Sequence, residues 1–229
     1  MRAAHAALSR RLTAALCLLL LGGAAWGLQT WTDGFERWTF EAQRQQQIRA
    51  GALRAPMVAL RGASQQPPVL WRADASAPAA YLVDFIYTRC PSVCLALGSE
   101  YQQMQRQLRA QAAAHPRVDP APAAVHLVSV SFDVEHDGPP QMAQLAARLQ
   151  ADPAWWTLAV PATPDAARAL LQGLGVVAVP DGQGGFVHNG AIHLLDGRGK
   201  LRGLFALDAW PQALAAARLL AAAPQVASR

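Results

Sequence analysis

Cysteine is scarce in this chain: three in 229 residues, far too few for a disulfide-dense secreted scaffold. Charge is scarce as well, at 15% of residues, and lysine is almost absent, with Lys200 alone among twenty basic residues. A concentrated basic stretch is missing too. The first 51 residues hold six arginines against three acids and the remaining 178 hold fourteen basic against twelve acidic residues, so the formal charge of +5 supplies no face for nucleic acid. Internal repeats are absent, which excludes a solenoid or propeller. What is present, 52% hydrophobic residues with 17 Gly and 16 Pro, is globular rather than disordered or collagen-like, and suits one domain with a core of ordinary size. Alanine inflates the apolar fraction, so that core must come from clusters of Leu, Val, Ile, Phe and Trp.

One long uncharged apolar run exists, Leu12 to Leu28, preceded by Arg2, Arg10 and Arg11. A basic flank followed by an apolar segment is the layout of an export signal. At 17 residues the run is close to the shortest that spans a bilayer, and Trp26 and Trp31 stand where interfacial aromatics belong. Ala25 and Gly27 also offer a signal peptidase its small residues, so residues 1–30 read as an anchor or a cleaved signal. The positive flank places the rest on the outer side of an inner membrane, in an oxidising periplasm. Cys17, within the run, reads as a passive thiol. Residues 31–51 read as a polar juxtamembrane helix or spacer with interspersed aromatics, and residues 52–229 as the exported domain.

That domain alternates β-rich runs with helical stretches. Strands are expected at Ala79–Thr88, a buried run, and at Val125–Asp133; Ala191–Asp196 and Leu201–Leu207, joined by GRGK, read as a hairpin. Helices are expected near 92–113, 138–151, 164–173 and 209–222, the first two opened by Pro91 and Pro139 in their first turns. Residues 112–124, rich in Ala and Pro, read as a surface loop. This order makes an α/β, thioredoxin-like fold, a central mixed sheet flanked by helices, behind the N-terminal anchor or signal segment.

The chemistry concentrates in CPSVC. Cys90 follows the first strand and Cys94 comes four residues later, one helical turn on and on the same face. The two sulfurs can hold one soft metal ion or form a disulfide, and a helix N-terminus, helped by Arg89, favours the thiolate of the leading cysteine. Space-filling cysteines and a plain structural disulfide are the bland alternatives; an oxidising compartment and so short a loop argue against both. Two thiolates suit Cu(I), for which an imidazole is the usual complement. His188, in the glycine-flanked GGFVHNG loop, can reach the cysteines; His136 follows the second strand, while His115, His126 and His193 read as structural.

The ordered segments Tyr81–Cys94 (YLVDFIYTRCPSVC), Ser129–Leu145 (SVSFDVEHDGPPQMAQL), Trp155–Val176 and Val187–Leu201 (VHNGAIHLLDGRGKL) resemble the SCO/SenC family of thioredoxin-like copper proteins over about residues 68–215. The resemblance implies a membrane-tethered periplasmic metallochaperone, not an enzyme in the strict sense. Its Cys90, Cys94 and His188 would bind one copper ion per chain for the binuclear copper site of a respiratory cytochrome c oxidase during assembly. The implied partners are the copper-accepting oxidase subunit and a thioredoxin-like reductant, with the inner membrane held through residues 12–28 and no nucleic acid. The alternative is a thiol:disulfide oxidoreductase in which Cys90 and Cys94 are the redox-active pair, keeping a copper-accepting partner's cysteines reduced. A peroxidase is weaker, because Tyr87 stands where peroxiredoxins carry threonine. The chain departs from the family pattern at Leu95, Val187 and Asn189, where proline, aspartate and Ser or Thr are usual, and in the segment Ser64–Pro78.

Overall fold

In the computed structural model, which describes residues 2–31, 40–63, 68, 70–71, 79–89, 93–114 and 124–223, the chain divides at Ala50 into two units. The first carries helices α1 (Arg2–Trp31) and α2 (Phe40–Arg49). Within α1, the 21 residues Arg11–Trp31 are long and apolar enough to cross a membrane, and Leu12, Leu16 and Leu18 to Leu21 are all exposed. The spacer read at 31–51 contains the ten-residue α2, whose sequence FEAQRQQQIR is polar throughout apart from its ends.

The second unit, Gly51–Arg229, is built on a six-stranded sheet. Its strands and helices follow in the order β1 (Leu60–Gly62), β2 (Ala80–Ile86), α3 (Val93–Ala114), β3 (Val125–Ser131), α4 (Pro139–Leu149), β4 (Trp156–Pro161), α5 (Pro164–Gly173), β5 (Ala178–Pro180), β6 (Phe186–His188), β7 (Ile192–Asp196), β8 (Leu201–Phe205) and α6 (Trp210–Ala222). The sheet order is β1-β4-β3-β2-β7-β8, with β4, β3 and β2 parallel and β1, β7 and β8 antiparallel to their neighbours; β5 and β6 form a separate two-stranded hairpin. The mixed sheet flanked by helices is the expected α/β architecture.

The central strands β2 and β3 are buried at every position, which is why AYLVDFI and VHLVSVS read as continuous runs rather than alternating ones. One face of the sheet, through Leu82, Ile86, Leu127, Trp156, Leu158, Ile192 and Leu194, packs against α3, α4 and α6. The other face holds Tyr81, Val83, Phe85, His126 and His193. The adjacent tryptophans divide as a strand demands: Trp156 is buried, its Nε1 donating to Ser129 Oγ at 2.9 Å, and Trp155 is half-buried.

The helix starts follow local chemistry. Thr163 Oγ1 caps α5 by accepting from Ala166 N at 3.2 Å, and Gln141 reaches back to accept from Gly138 N at 3.0 Å at the head of α4. The β7–β8 turn is tied by Asp196, which accepts from the backbone of Arg198 and Lys200 at 3.0 Å each and from Arg202 Nε at 2.9 Å. Its Gly199 takes φ 79°, a left-handed conformation that a side chain would strain.

Candidate functional site

The site forms where β2 and β3 end. Beyond Ile86, residues Tyr87, Thr88 and Arg89 lead towards Cys90, and each is held by a different partner. Tyr87 Oη donates to Phe186 O at 3.4 Å and accepts from Phe186 N at 3.3 Å, joining the β2 end to the hairpin across 99 residues. Thr88 is held by the buried carboxylate of Asp137, which accepts from Thr88 N at 2.9 Å, from Thr88 Oγ1, and from Ser131 Oγ at 2.5 Å. Arg89 Nη2 pairs with buried Asp133 at 2.8 Å and lies 3.0 Å from His136 Nδ1, which itself contacts Asp133 Oδ1 at 2.9 Å.

Arg89 thus has a partner that its place beside Cys90 did not suggest, the buried Asp133, while Cys90 itself lies outside the described residues. The arrangement also gives His136 a place beside that ion pair. Asp133 and Asp137 were invisible as site residues from spacing alone, although both lie in the quoted FDVEHD segment.

His188 sits not in a free loop, as its flanking glycines suggested, but at the end of β6, paired with Ala178 of β5. The hairpin is amphipathic. Phe186 and His188 face inward onto Tyr87 and Phe132, with His188 5.4 Å from the Phe132 ring and 6.5 Å from Tyr87, while Val179 and its cross-strand partner Val187 are exposed. The hairpin turn is tied by Asp181, whose Oδ1 accepts from Gln183 N at 2.8 Å and Gly185 N at 2.9 Å, and those two donors lower its pKa. A side chain at Gly185 would meet that carboxylate at 2.6 Å, which explains the glycine. At the hairpin base, Asn189 Oδ1 accepts from Val177 N at 2.8 Å and its Nδ2 donates to Gly175 O at 3.3 Å. The asparagine after the histidine thus staples the strand ends that carry His188.

Burial lowers the His188 pKa below the usual imidazole value, so the ring is neutral at pH 7. Its Nδ1 is buried and has no hydrogen-bond partner among the described residues. A neutral imidazole with an unpartnered ring nitrogen, oriented by aromatic packing, is the chemistry of a metal ligand in waiting. The other histidines differ. His126 Nε2 lies 2.8 Å from Thr157 Oγ1, with its pKa pushed by burial down to about 4. His193 is buried against Phe85, with Nδ1 3.0 Å from Ala191 O. His115 lies outside the described residues, as does Cys90, and Cys94 is described only as backbone in the first turn of α3. Among the described residues no three His, Cys, Asp or Glu side chains cluster closely enough to hold a metal ion.

A model of the SCO1/SenC family matches residues 72–222. Among solved structures, the chain is similar to a SCO1/SenC family lipoprotein from Bacillus anthracis at 16% identity and TM-score 0.60, covering 74% of this chain and 96% of that one. It is also similar to Bradyrhizobium japonicum ScoI with copper bound, at 22% identity and TM-score 0.53 over 72% and 98% of the two chains. The third, Arabidopsis thaliana ScoI with copper bound, matches at 11% identity and TM-score 0.57 over 72% and 98%. These likenesses establish the thioredoxin-like fold. No curated protein matches the chain.

Proposed function

This chain belongs to the SCO1/SenC family, and on that premise we propose that it is a membrane-tethered, periplasmic copper chaperone that binds one copper ion through Cys90, Cys94 and His188. The observation that carries this reading is His188: a neutral imidazole with an unpartnered buried nitrogen, set at the strand ends from which the chain runs into Cys90. Copper is the cargo. Two thiolates and one imidazole suit Cu(I), a soft ion content with few ligands, and a small open ligand set releases its ion readily to a richer site.

The residues around the site supply order rather than ligands. Asp137 fixes Thr88, two residues before Cys90, and the Arg89–Asp133 pair fixes the next position, so the loop into CPSVC starts from a rigid base. Tyr87 and Phe132 hold the imidazole ring edge-on, limiting its rotation. The acceptor in this reading is the copper-receiving subunit of a respiratory cytochrome c oxidase, consistent with the ScoI relatives that carry copper and with BsSco, a member of the Sco family of cytochrome c oxidase assembly proteins. A thioredoxin-like dithiol would return oxidised cysteines to the metal-binding state. Helix α1 supports the tether, holding the domain at the membrane surface where an integral oxidase is assembled.

The test is copper stoichiometry of the reduced protein, compared with Cys90→Ser, Cys94→Ser and His188→Ala. One copper per chain, lost in all three variants, is the expected result. Full retention in His188→Ala refutes the three-ligand site.

A further inference from the structure

His188 is the last residue of β6, and the chain leaves the hairpin directly after it to enter β7 at Ile192. In an antiparallel ladder every second pair exchanges two backbone hydrogen bonds. Asp181 N donates to Gly185 O at 3.0 Å, so with Ala178 opposite His188 the next such pair beyond the histidine is Val177 opposite Asn189. Only one of its two bonds is made by the backbone alone: Asn189 N donates to Val177 O at 3.3 Å. The other, from Val177 N, goes to the Asn189 side chain, whose Oδ1 accepts it at 2.8 Å while Nδ2 donates to Gly175 O at 3.3 Å. Val177 N can only donate and Gly175 O only accept, which fixes the orientation of the amide between them.

Because a side-chain amide completes the ladder in place of a main-chain carbonyl, the main chain is free to turn away after His188. Gly190 N donates back to His188 O at 3.0 Å, and the fully buried Ile192 follows two residues later. The other side of the clamp is anchored in the core. Gly175, with φ 64°, follows the end of α5, Leu174 is fully buried, and Val176 N donates to Leu171 O at 2.8 Å. Asn189 thus ties the residue after the imidazole to the end of α5, as Tyr87 Oη ties Phe186, two residues before it, to the end of β2. Serine or threonine, usual at this place in the family, carries one polar atom on a shorter arm, so the two-point clamp belongs to the amide.

We propose that Asn189 is the positioning residue that sets how long copper stays on this chain. By closing the base of the hairpin it keeps the His188 imidazole where a metal ion can use it, and the ion is released when that base opens. This rests on the reading that His188 is a copper ligand and adds the residue that controls its hold. Asn189 is not itself a ligand, since both its polar atoms are engaged by the backbone. A histidine whose strand end frays is away from the ligand set for part of the time, and the remaining ligands then hold the ion alone. Ordering the ring before the ion arrives removes that loss.

The test uses the full-length chain in detergent, its Asn189→Ala, Asn189→Ser and Asn189→Asp variants, and two readouts. The first is the rate at which Cu(I) passes from the loaded, reduced protein to a bathocuproine chelator, extrapolated to zero chelator. Asn189→Ala and Asn189→Ser should lose copper roughly 10-fold faster at unchanged stoichiometry, because the side-chain bonds to Val177 N and Gly175 O are removed or weakened. Asn189→Asp keeps the acceptor for Val177 N and should fall between them and the parent. The second readout needs no metal: the imidazole NMR signals of the copper-free protein. In Asn189→Ala those of His188 should broaden and move, while those of His126 and His193, held within the sheet, stay where they are. Copper loss at the parent rate in Asn189→Ala overturns the proposal. So does faster loss with the His188 signals unmoved, or with all three histidines shifted together, which marks a general loosening of the domain. A parent that holds no copper, or holds it no better than His188→Ala, removes the chaperone reading and this inference with it. A parent that holds its ion through His188, with an Asn189→Ala variant that releases it no faster, removes this inference alone.

Discussion

Replacing Asp84 by Asn should make the domain more stable at neutral and alkaline pH, and the gain should grow with pH in a defined window. The carboxyl titrates near 3.8 when solvated and at about 7 in the folded domain, because burial disfavours its charged form. For an acid whose folded pKa is raised, stability is complete below the solvated value and is lost as pH rises through the folded one. A shift of about 3 units at 1.36 kcal/mol each makes that loss about 4 kcal/mol by pH 8. Against a total stability on the order of 5–15 kcal/mol this is a large burden for one side chain. His126 runs the opposite way: its folded pKa is lowered from 6.5 to about 4, so it adds stability above pH 6.5 that is lost as pH falls towards 4, about 3 kcal/mol in all. The two offset each other in the parent between pH 4 and 7, flattening its profile. The measurement is urea unfolding of Gly51–Arg229, followed by tryptophan fluorescence, for parent and Asp84→Asn from pH 4 to 8. The difference between the two should widen by about 4 kcal/mol over that range, with His126 cancelling in the subtraction. Parallel profiles, separated by a constant, would refute the reasoning that Asp84 ionises at the expense of the fold.

His188→Phe keeps an aromatic ring against Phe132 and Tyr87 but removes both ring nitrogens, so unfolding free energy should change by less than about 1.5 kcal/mol while copper retention in a chelator competition is lost. Asp137→Ala leaves Thr88 N, Thr88 Oγ1 and Ser131 Oγ without their acceptor. It should destabilise the domain by about 3 kcal/mol in urea titration and loosen copper retention, because the base of the loop into Cys90 is released.

The central strands were legible because each is buried on both faces, which forces the continuous apolar runs at Ala80–Ile86 and Val125–Ser131. The start of α4 was legible from Pro139, and the β7–β8 hairpin from GRGK, since a turn and a first helical turn are decided by a few adjacent residues. The strand β4 was not anticipated: Trp156–Pro161 follows directly on a turn and is recognisable only by its pairing with β3 and β1. The three-residue strands β5 and β6 are likewise too short to carry a period, and become a hairpin only through their mutual pairing and the contacts of Tyr87 and Asn189.

For the site, chemistry and spacing singled out Cys90 and Cys94 and made His188 one candidate among the histidines, and the resemblance to the SCO/SenC family joined the three into the ligand set proposed above. Sequence also placed the central strands, the β7–β8 hairpin and the long apolar N-terminal segment, all local matters of hydrophobic run and turn residue. Only the tertiary structure decided that Arg89 pairs with Asp133 across 44 residues, that Asp137 grips Thr88 across 49, and that Asp84 sits in an apolar interior beneath α3. A charge in a sequence carries no mark of its partner or its dielectric surroundings. Those are set when distant strands and helices close over it, and they determine whether an acid is a clamp, half of an ion pair or a buried group that costs the fold stability when it ionises.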